Sequence, residues 1–233
     1  GGPEVSYDSR ETLGRLPELT GVMKGEGEKT FAKLCKVYGK RSETSELSLE
    51  QIDGITFRCP DGTICERPWR VPMDLSEVPF VYHDMKKFEN KIIYYETSRG
   101  CPFSCSYCLS SIDKRLRFRS LDLVFNELQF FLDHKVPQVK FVDRTFNCNH
   151  RHSMAIWRYI KEHDNGITNF HFEIAADILN EEEMGLLATF RPGLAQLEIG
   201  VQSTNMQTIH EIDRMMDFDM VTQKVQRVAS AEN

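Results

Sequence analysis

The sequence predicts an α/β protein built on parallel βα units, and three observations carry that prediction. From Lys91 onward short β-rich apolar runs alternate with stretches whose apolar residues recur at helical spacing. About four such units can be counted. Two of the helices open on residues suited to an N-cap: Ser120, and Asn180 with Glu183 three positions on, a capping box. Alternation at this interval implies a parallel sheet, because a parallel connection needs a long crossover. The pattern alone leaves open whether the units close toward a barrel or lie in an open sheet.

In chain order, residues 19–23 read as a short strand and Gly25-Glu26-Gly27-Glu28 as a turn. Residues 30–38 then place Phe31, Leu34 and Val37 on one helical face, with Gly39 as a stop. Residues 42–53 are polar and read as an exposed connection. Two β-rich pieces, 55–58 and 63–64, flank Pro60-Asp61-Gly62 and predict a hairpin. Cys59 and Cys65 bracket that turn. Half a zinc site is one reading of them, but ordinary hairpin cysteines are favoured, since no second pair lies nearby. Residues 67–79 carry Pro68, Pro72 and Pro79, a linker composition. The expected organisation is therefore an N-terminal piece over 1–60, a linker over 61–90 and a second domain over 91–233. Its strands are expected at 92–97, 139–142, 170–175 and 197–201. Its helices are expected from Ser120 through Leu132, over 153–163, after Asn180 and over 205–215.

Composition narrows the function. The chain has 233 residues, 40% hydrophobic and 27% charged, as a globular domain has. It holds no apolar run of about 18 residues, so no membrane span is expected, and its start is not a signal peptide. The net charge of −6 argues against general nucleic-acid binding. Seven cysteines, three of them clustered, point to a reducing, cytoplasmic setting and metal ligation rather than a disulfide framework. The absent initial methionine and a helical pattern at the end suggest a piece of a longer protein.

The cluster is Gly100-Cys101-Pro102-Phe103-Ser104-Cys105-Ser106-Tyr107-Cys108, directly after a predicted strand. Soft thiolates at this spacing select zinc or iron–sulfur chemistry. A structural zinc site wants a fourth ligand and a closed cluster a fourth cysteine, yet the next cysteine, Cys148, lies 40 residues on. Three thiolates on a 4Fe-4S cluster leave one iron open to a substrate.

This loop resembles that of radical S-adenosylmethionine enzymes, whose CxxxCxΦC signature has an aromatic residue before its last cysteine, here Tyr107. The resemblance implies a partial barrel of βα units. It also implies a 4Fe-4S cluster on Cys101, Cys105 and Cys108 that binds S-adenosylmethionine and cleaves it to a 5′-deoxyadenosyl radical. Reduced ferredoxin or flavodoxin would supply the electron. Tyr107 would lie against the adenine. Many members carry Gly-Gly-Glu at the second strand end to hold the methionine amino group; this chain has Asp143-Arg144-Thr145, so Asp143 or Thr145 would serve. Glu173, a carboxylate within an apolar strand, would contact the ribose hydroxyls. The fourth strand end, Gly200-Val201-Gln202-Ser203, matches a Gly-x-Gln-Ser ending of several branches, with Gln202 facing the cofactor and Gly200 leaving room.

Gly1-Gly2 together with Gly25-Glu26-Gly27 resembles the last part of the Rossmann-like cobalamin-binding domain that precedes the radical domain in one large branch. This implies a cobalamin-associated parent, whose lower-ligand histidine would lie upstream. Two other signals are weighed and set low. Cys148-x-His150-x-His152 invites a metal but reads as a loop, and Lys114 through Arg119 reads as a solvated basic edge. Two alternatives stay open: a non-catalytic iron–sulfur or zinc module, and a tRNA-modifying radical enzyme, which shares the opening Ser98-Arg99-Gly100-Cys101-Pro102.

Overall fold

The computed structural model describes residues 1–39, 48–214 and 216–230. They divide into two compact units, Gly1–Met73 and Asp74–Asn233.

In the first unit the elements are α1 (Pro3–Ser6), α2 (Ser9–Arg15), β1 (Gly21–Met23), α3 (Glu28–Gly39), β2 (Ile55–Arg58) and β3 (Ile64–Glu66). The strands form one sheet in the order β1-β2-β3, both pairings antiparallel. The parallel pairing of a Rossmann-like sheet is therefore not seen among the described strands. The predicted hairpin is present. Gly62 sits at φ +86°, and the Asp61 carboxylate accepts from the Thr63 N–H and hydroxyl at 2.9 and 2.7 Å. Residues 61–90, expected as a linker, instead supply β3 to this sheet and two 3-10 turns, Leu75–Glu77 and Met85–Phe88, to the second unit.

Ile52, Ile55 and Phe57 form a small core against which Leu34 and Val37 of α3 pack, as their spacing predicts. Phe31, expected on the same face, is 58% exposed. Helices α1 and α2 have no counterpart in the periodicity. They are held by tertiary bonds instead: the Gly25 N–H to Ser6 of α1 at 3.2 Å and, for α2, Ser9 to Thr56 at 2.7 Å and the Arg58 guanidinium to the Leu13 carbonyl at 2.6 Å. Of the connection expected over 42–53, residues 42–47 lie outside the described residues, and Leu49–Gln51 form a 3-10 turn closed by a Ser48–Gln51 capping box. Lys24 is 2% exposed, and its ammonium pairs with Glu66 at 2.8 Å and the Arg67 carbonyl at 2.7 Å, the partners a buried cation requires.

The second unit runs β4 (Ile93–Tyr95), β5 (Ser98–Arg99), β6 (Arg117–Phe118), α4 (Leu121–Asp133), β7 (Gln138–Phe141), α5 (His150–Glu162), β8 (Asn169–Ile174), α6 (Glu181–Leu187), β9 (Ala195–Ile199), α7 (Met206–Glu211) and α8 (Phe218–Ser230). Strands β4, β7, β8 and β9 form a parallel sheet in that order, as the alternation predicts. One face carries Ile93, Tyr95, Val139, Phe141, Phe170 and Phe172, all buried in a single core with Val124, Leu128 and Phe131 of α4 and Ile156, Trp157 and Ile160 of α5. Asn180 and Glu183 make the capping box reciprocally. Ser120 holds the N-cap position of α4 but makes no cap bond through its side chain; its own N–H is bound by the Ser76 hydroxyl. Helix α7 ends at Glu211, short of the expected 215. No described helix is long and apolar enough to cross a membrane.

Candidate functional site

The cysteine loop springs from the C-terminal end of β4 and is clasped at its base. Strands β5 and β6 pair as a two-residue antiparallel ladder, Ser98 opposite Phe118 and Arg99 opposite Arg117, so both ends of the loop are fixed. Within it the Cys101 N–H donates to the Asp113 carbonyl at 3.3 Å. Gly100 lies at φ +95°, and a Cβ there would stand 2.4 Å from the Arg115 carbonyl oxygen, so only glycine fits. The basic run beside it is solvated at Lys114 and Arg115, as expected, but not at Arg119. Lys114 donates to Ser104 at 2.6 Å, and Arg119 is buried, its guanidinium forked onto Glu127 and bound to the Leu75 and Val78 carbonyls. A buried arginine needs that full set of acceptors.

Cys101 and Cys105 are buried and Cys108 half-buried. Two side chains from other elements reach their sulfurs. The Thr145 hydroxyl lies 3.6 Å from Cys101 Sγ, and Arg214 Nη1 lies 3.8 Å from Cys105 Sγ. Among the described residues no three His, Cys, Asp or Glu side chains converge on a single-ion position. A zinc ion with Zn–S bonds of about 2.3 Å would demand such convergence. Three soft donors on a clasped loop, with a hydroxyl and a guanidinium turned toward them, fit a thiolate-held iron–sulfur group.

The strand ends below the loop are tied together by buried polar side chains. Asp143, just past β7 and 1% exposed, accepts from the Thr97 N–H at 3.1 Å, the Thr97 hydroxyl at 2.7 Å and the Ser98 hydroxyl. Burial pushes its carboxyl up to about 6 despite these bonds. Buried His152 points Nε2 at the Thr97 hydroxyl, 3.2 Å away, and burial pushes its pKa down to about 4, so it is neutral. Because the Thr97 proton goes to Asp143, Nε2 carries the imidazole proton. Asn147 bridges the next pair of ends, donating to the Ala175 carbonyl at 2.9 Å and accepting its N–H at 3.0 Å. Beyond β9, Arg214 Nη2 donates to the Gly200 carbonyl at 2.6 Å.

Of the residues named from sequence, Thr145 comes against a loop cysteine, whereas the Asp143 carboxylate is engaged in joining the ends of β4 and β7. Gly200 and Gln202 adjoin in a strained turn: Gln202 sits at φ +66°, and a Cβ on Gly200 would lie 2.6 Å from its Nε2. Glu173 lies on the sheet face opposite the helices, where its carboxylate is 3.9 Å from Lys140. On that face Lys140 and His171 each lie 3.0 Å from Glu198. The Tyr107 ring is half exposed; burial of its hydroxyl end raises its pKa. In the first unit the two glycine segments do meet. The Ser6 hydroxyl donates to the Gly2 carbonyl at 2.7 Å and accepts the Gly25 N–H at 3.2 Å, Glu26 accepts the Met73 N–H, and the Gly27 carbonyl starts α3. Gly1, Phe31, Leu34, Tyr38, Leu49 and Phe57 line a cleft of about 360 Å³ there.

Sequence reasoning missed Arg214, Asn147 and the neutral His152. Cys148-x-His150-x-His152 is not a loop but a 3-10 turn running into α5, and its members diverge: His150 pairs with the buried Glu183 at 2.9 Å while His152 turns to Thr97. Cys148, remote in sequence, comes close enough to Cys101 for their charges to interact, and burial raises its thiol to about 11.

A parallel βα sheet with a three-cysteine loop at the end of its first strand defines a class, and comparison with known families agrees. Residues 95–232 match the Radical SAM superfamily, and the chain belongs to it. Among curated relatives, an uncharacterized methyltransferase of Pyrococcus horikoshii is 30% identical over 171 residues, 70% of this chain and 36% of the relative. The anaerobic magnesium-protoporphyrin IX monomethyl ester cyclase of Synechocystis is 26% identical over 224 residues, 91% of this chain and 43% of the relative. The chain thus spans less than half the length of these relatives. Among solved structures, the cobalamin-dependent S-adenosylmethionine radical enzyme OxsB superposes with a TM-score of 0.77 at 22% identity, covering 98% of this chain and 34% of OxsB. The radical S-adenosylmethionine methyltransferase TsrM of Kitasatospora setae gives 0.71 at 16% identity, over 98% and 48% of the two chains. At these identities the likeness is one of fold.

Proposed function

We propose that Cys101, Cys105 and Cys108 hold a 4Fe-4S cluster and that the parent protein is a radical S-adenosylmethionine enzyme of the cobalamin-associated branch. The observation that carries this reading is the clasped three-thiol loop with Thr145 and Arg214 on its sulfurs. When bound, the cluster would supply the electron that cleaves S-adenosylmethionine to methionine and a 5′-deoxyadenosyl radical. The chain's own residues position and tune. Arg214 donates to Cys105 sulfur and so stabilises an electron-rich thiolate, a lever on cluster potential, while the Thr145 hydroxyl, which donates to the Arg144 carbonyl at 2.8 Å, stands against Cys101. Thr145 is the better placed of the two candidates for the methionine end, with Asp143 fixing the loop's root behind it. Glu173 serves the ribose, Gln202 and Gly200 shape the far wall, and Tyr107 has an exposed ring to offer the adenine. For the nucleotide tail of cobalamin in the parent protein the candidates are Gly1, Gly2, Gly25, Glu26 and Gly27, of which Gly1 lines the apolar cleft of the first unit. Reduced ferredoxin or flavodoxin is the donor this chemistry calls for. The relatives named methyltransferase and cyclase leave the substrate class undivided.

The test is anaerobic reconstitution of the full-length protein. Iron and sulfide near four each per chain, a visible spectrum that shifts with S-adenosylmethionine, and 5′-deoxyadenosine released after reduction are expected. Zinc in place of iron, or a cluster indifferent to S-adenosylmethionine, would instead support the non-catalytic module.

A further inference from the structure

Cys59 and Cys65 have no part in the chemistry above, yet their sulfurs lie 2.9 Å apart. The hairpin holds them there. Phe57 is the register partner of Cys65, the Cys59 N–H donates to the Thr63 carbonyl at 2.8 Å, and the Cys59 carbonyl accepts the Gly62 N–H at 2.9 Å. Both thiols are half-buried, one side packed on Ile55 and Phe57 and the other open. A disulfide bond is about 2.0 Å long, so closure needs the sulfurs to move by about an ångström and no change of strand register. Among the described residues no third His, Cys, Asp or Glu joins them to make a metal site. Cys35, by contrast, lies exposed on α3.

We propose that Cys59 and Cys65 are a dithiol–disulfide site that exchanges with low-molecular-weight disulfides. One thiol loses its proton and attacks the small disulfide RSSR, forming a mixed disulfide and releasing RS⁻. The second thiol loses its proton and attacks the protein-side sulfur, forming the Cys59–Cys65 bond and releasing a second RS⁻. The two protons end on the two RS⁻, and two electrons pass from the cysteine pair to RSSR. The proton shared with Cys59, together with the nearby Glu50 and Asp61 carboxylates, raises the Cys65 pKa, so the thiolate is scarce and equilibrium is the quantity to measure.

The experiment equilibrates the anaerobic protein, folded and in urea, with reduced and oxidised glutathione over a range of ratios, then quenches with acid and blocks free thiols with N-ethylmaleimide. Trypsin cuts after Arg58 and Arg70 but not before Pro68, so one peptide carries both cysteines. In the folded protein that peptide should become lighter by two hydrogens, without glutathione attached, at an oxidised-to-reduced ratio about tenfold or more below that needed in urea. Cys59→Ser should instead accumulate a glutathione adduct on Cys65. Both thiols blocked throughout, stable adducts on the unaltered chain, or equal midpoints folded and unfolded would each overturn the proposal.

Discussion

Strand β8 gives one backbone two environments. Phe170, Phe172 and Ile174 point into the helices and are buried, while His171 and Glu173, one residue out of phase, stand on a face lined by Lys140 and Glu198 and partly open to solvent. Because side chains alternate with a period of two, a single strand divides its labour: one face holds the fold, the other presents chemistry. The cysteine loop belongs to neither face. It leaves the sheet at the strand ends, where polar side chains rather than apolar ones make the joints.

That division can be broken or sharpened by substitution. The largest effect expected is at the loop. Cys101→Ser, Cys105→Ser or Cys108→Ser should each abolish bound iron while far-ultraviolet circular dichroism keeps its folded form; Cys148→Ser should retain the iron, and its loss there would make Cys148 a ligand. On the apolar face, Phe172→Ala should cost about 3–5 kcal/mol in urea unfolding, as deletion of a fully buried ring does.

At the joint between faces, Asp143 gives a pH signature. Its folded pKa near 6 lies above the ordinary value near 4, so the folded chain holds this proton more tightly than the unfolded one. Its contribution to stability is complete below about pH 4 and is lost as pH rises through 6, a change on the order of 3 kcal/mol. Asp143→Asn should flatten that part of the stability curve; an unchanged slope between pH 4 and 7 would show that Asp143 ionises as an ordinary carboxylate. On the polar face, Lys140→Met should move stability by less than about 1 kcal/mol, because its ion pairs with Glu173 and Glu198 are solvent-screened. A loss as large as that of Phe172→Ala would erase the distinction between faces.

The parallel sheet was legible because its signal is periodic: apolar runs at 92–97, 139–142, 170–175 and 197–201 each contain an observed strand or most of one. The cysteine loop was legible because three thiols at fixed spacing constrain chemistry before they constrain shape. What stayed hidden depends on contacts distant in sequence. Arg214 reads as one more surface charge until the fold carries it to Cys105, 109 positions away. Arg119 looked solvated within a basic run until Glu127 and two carbonyls closed around it. Helices α1 and α2 lack a strong apolar stripe, so nothing in their periodicity announces them. Asp143 stands just past β7, but no local pattern in the sequence says that Thr97 and Ser98 occupy its carboxylate.

The small ladder of β5 and β6 has a consequence for how the metal arrives. Joining the ends of a flexible segment carries an entropic penalty that grows slowly with its length, about 0.6 kcal/mol per doubling. Here Ser98 with Phe118 and Arg99 with Arg117 meet that penalty when the polypeptide folds. On the proposed cluster reading, incoming iron and sulfide would therefore encounter a mouth already gathered, and the binding energy of the thiolates would go into retention rather than into shaping the chain.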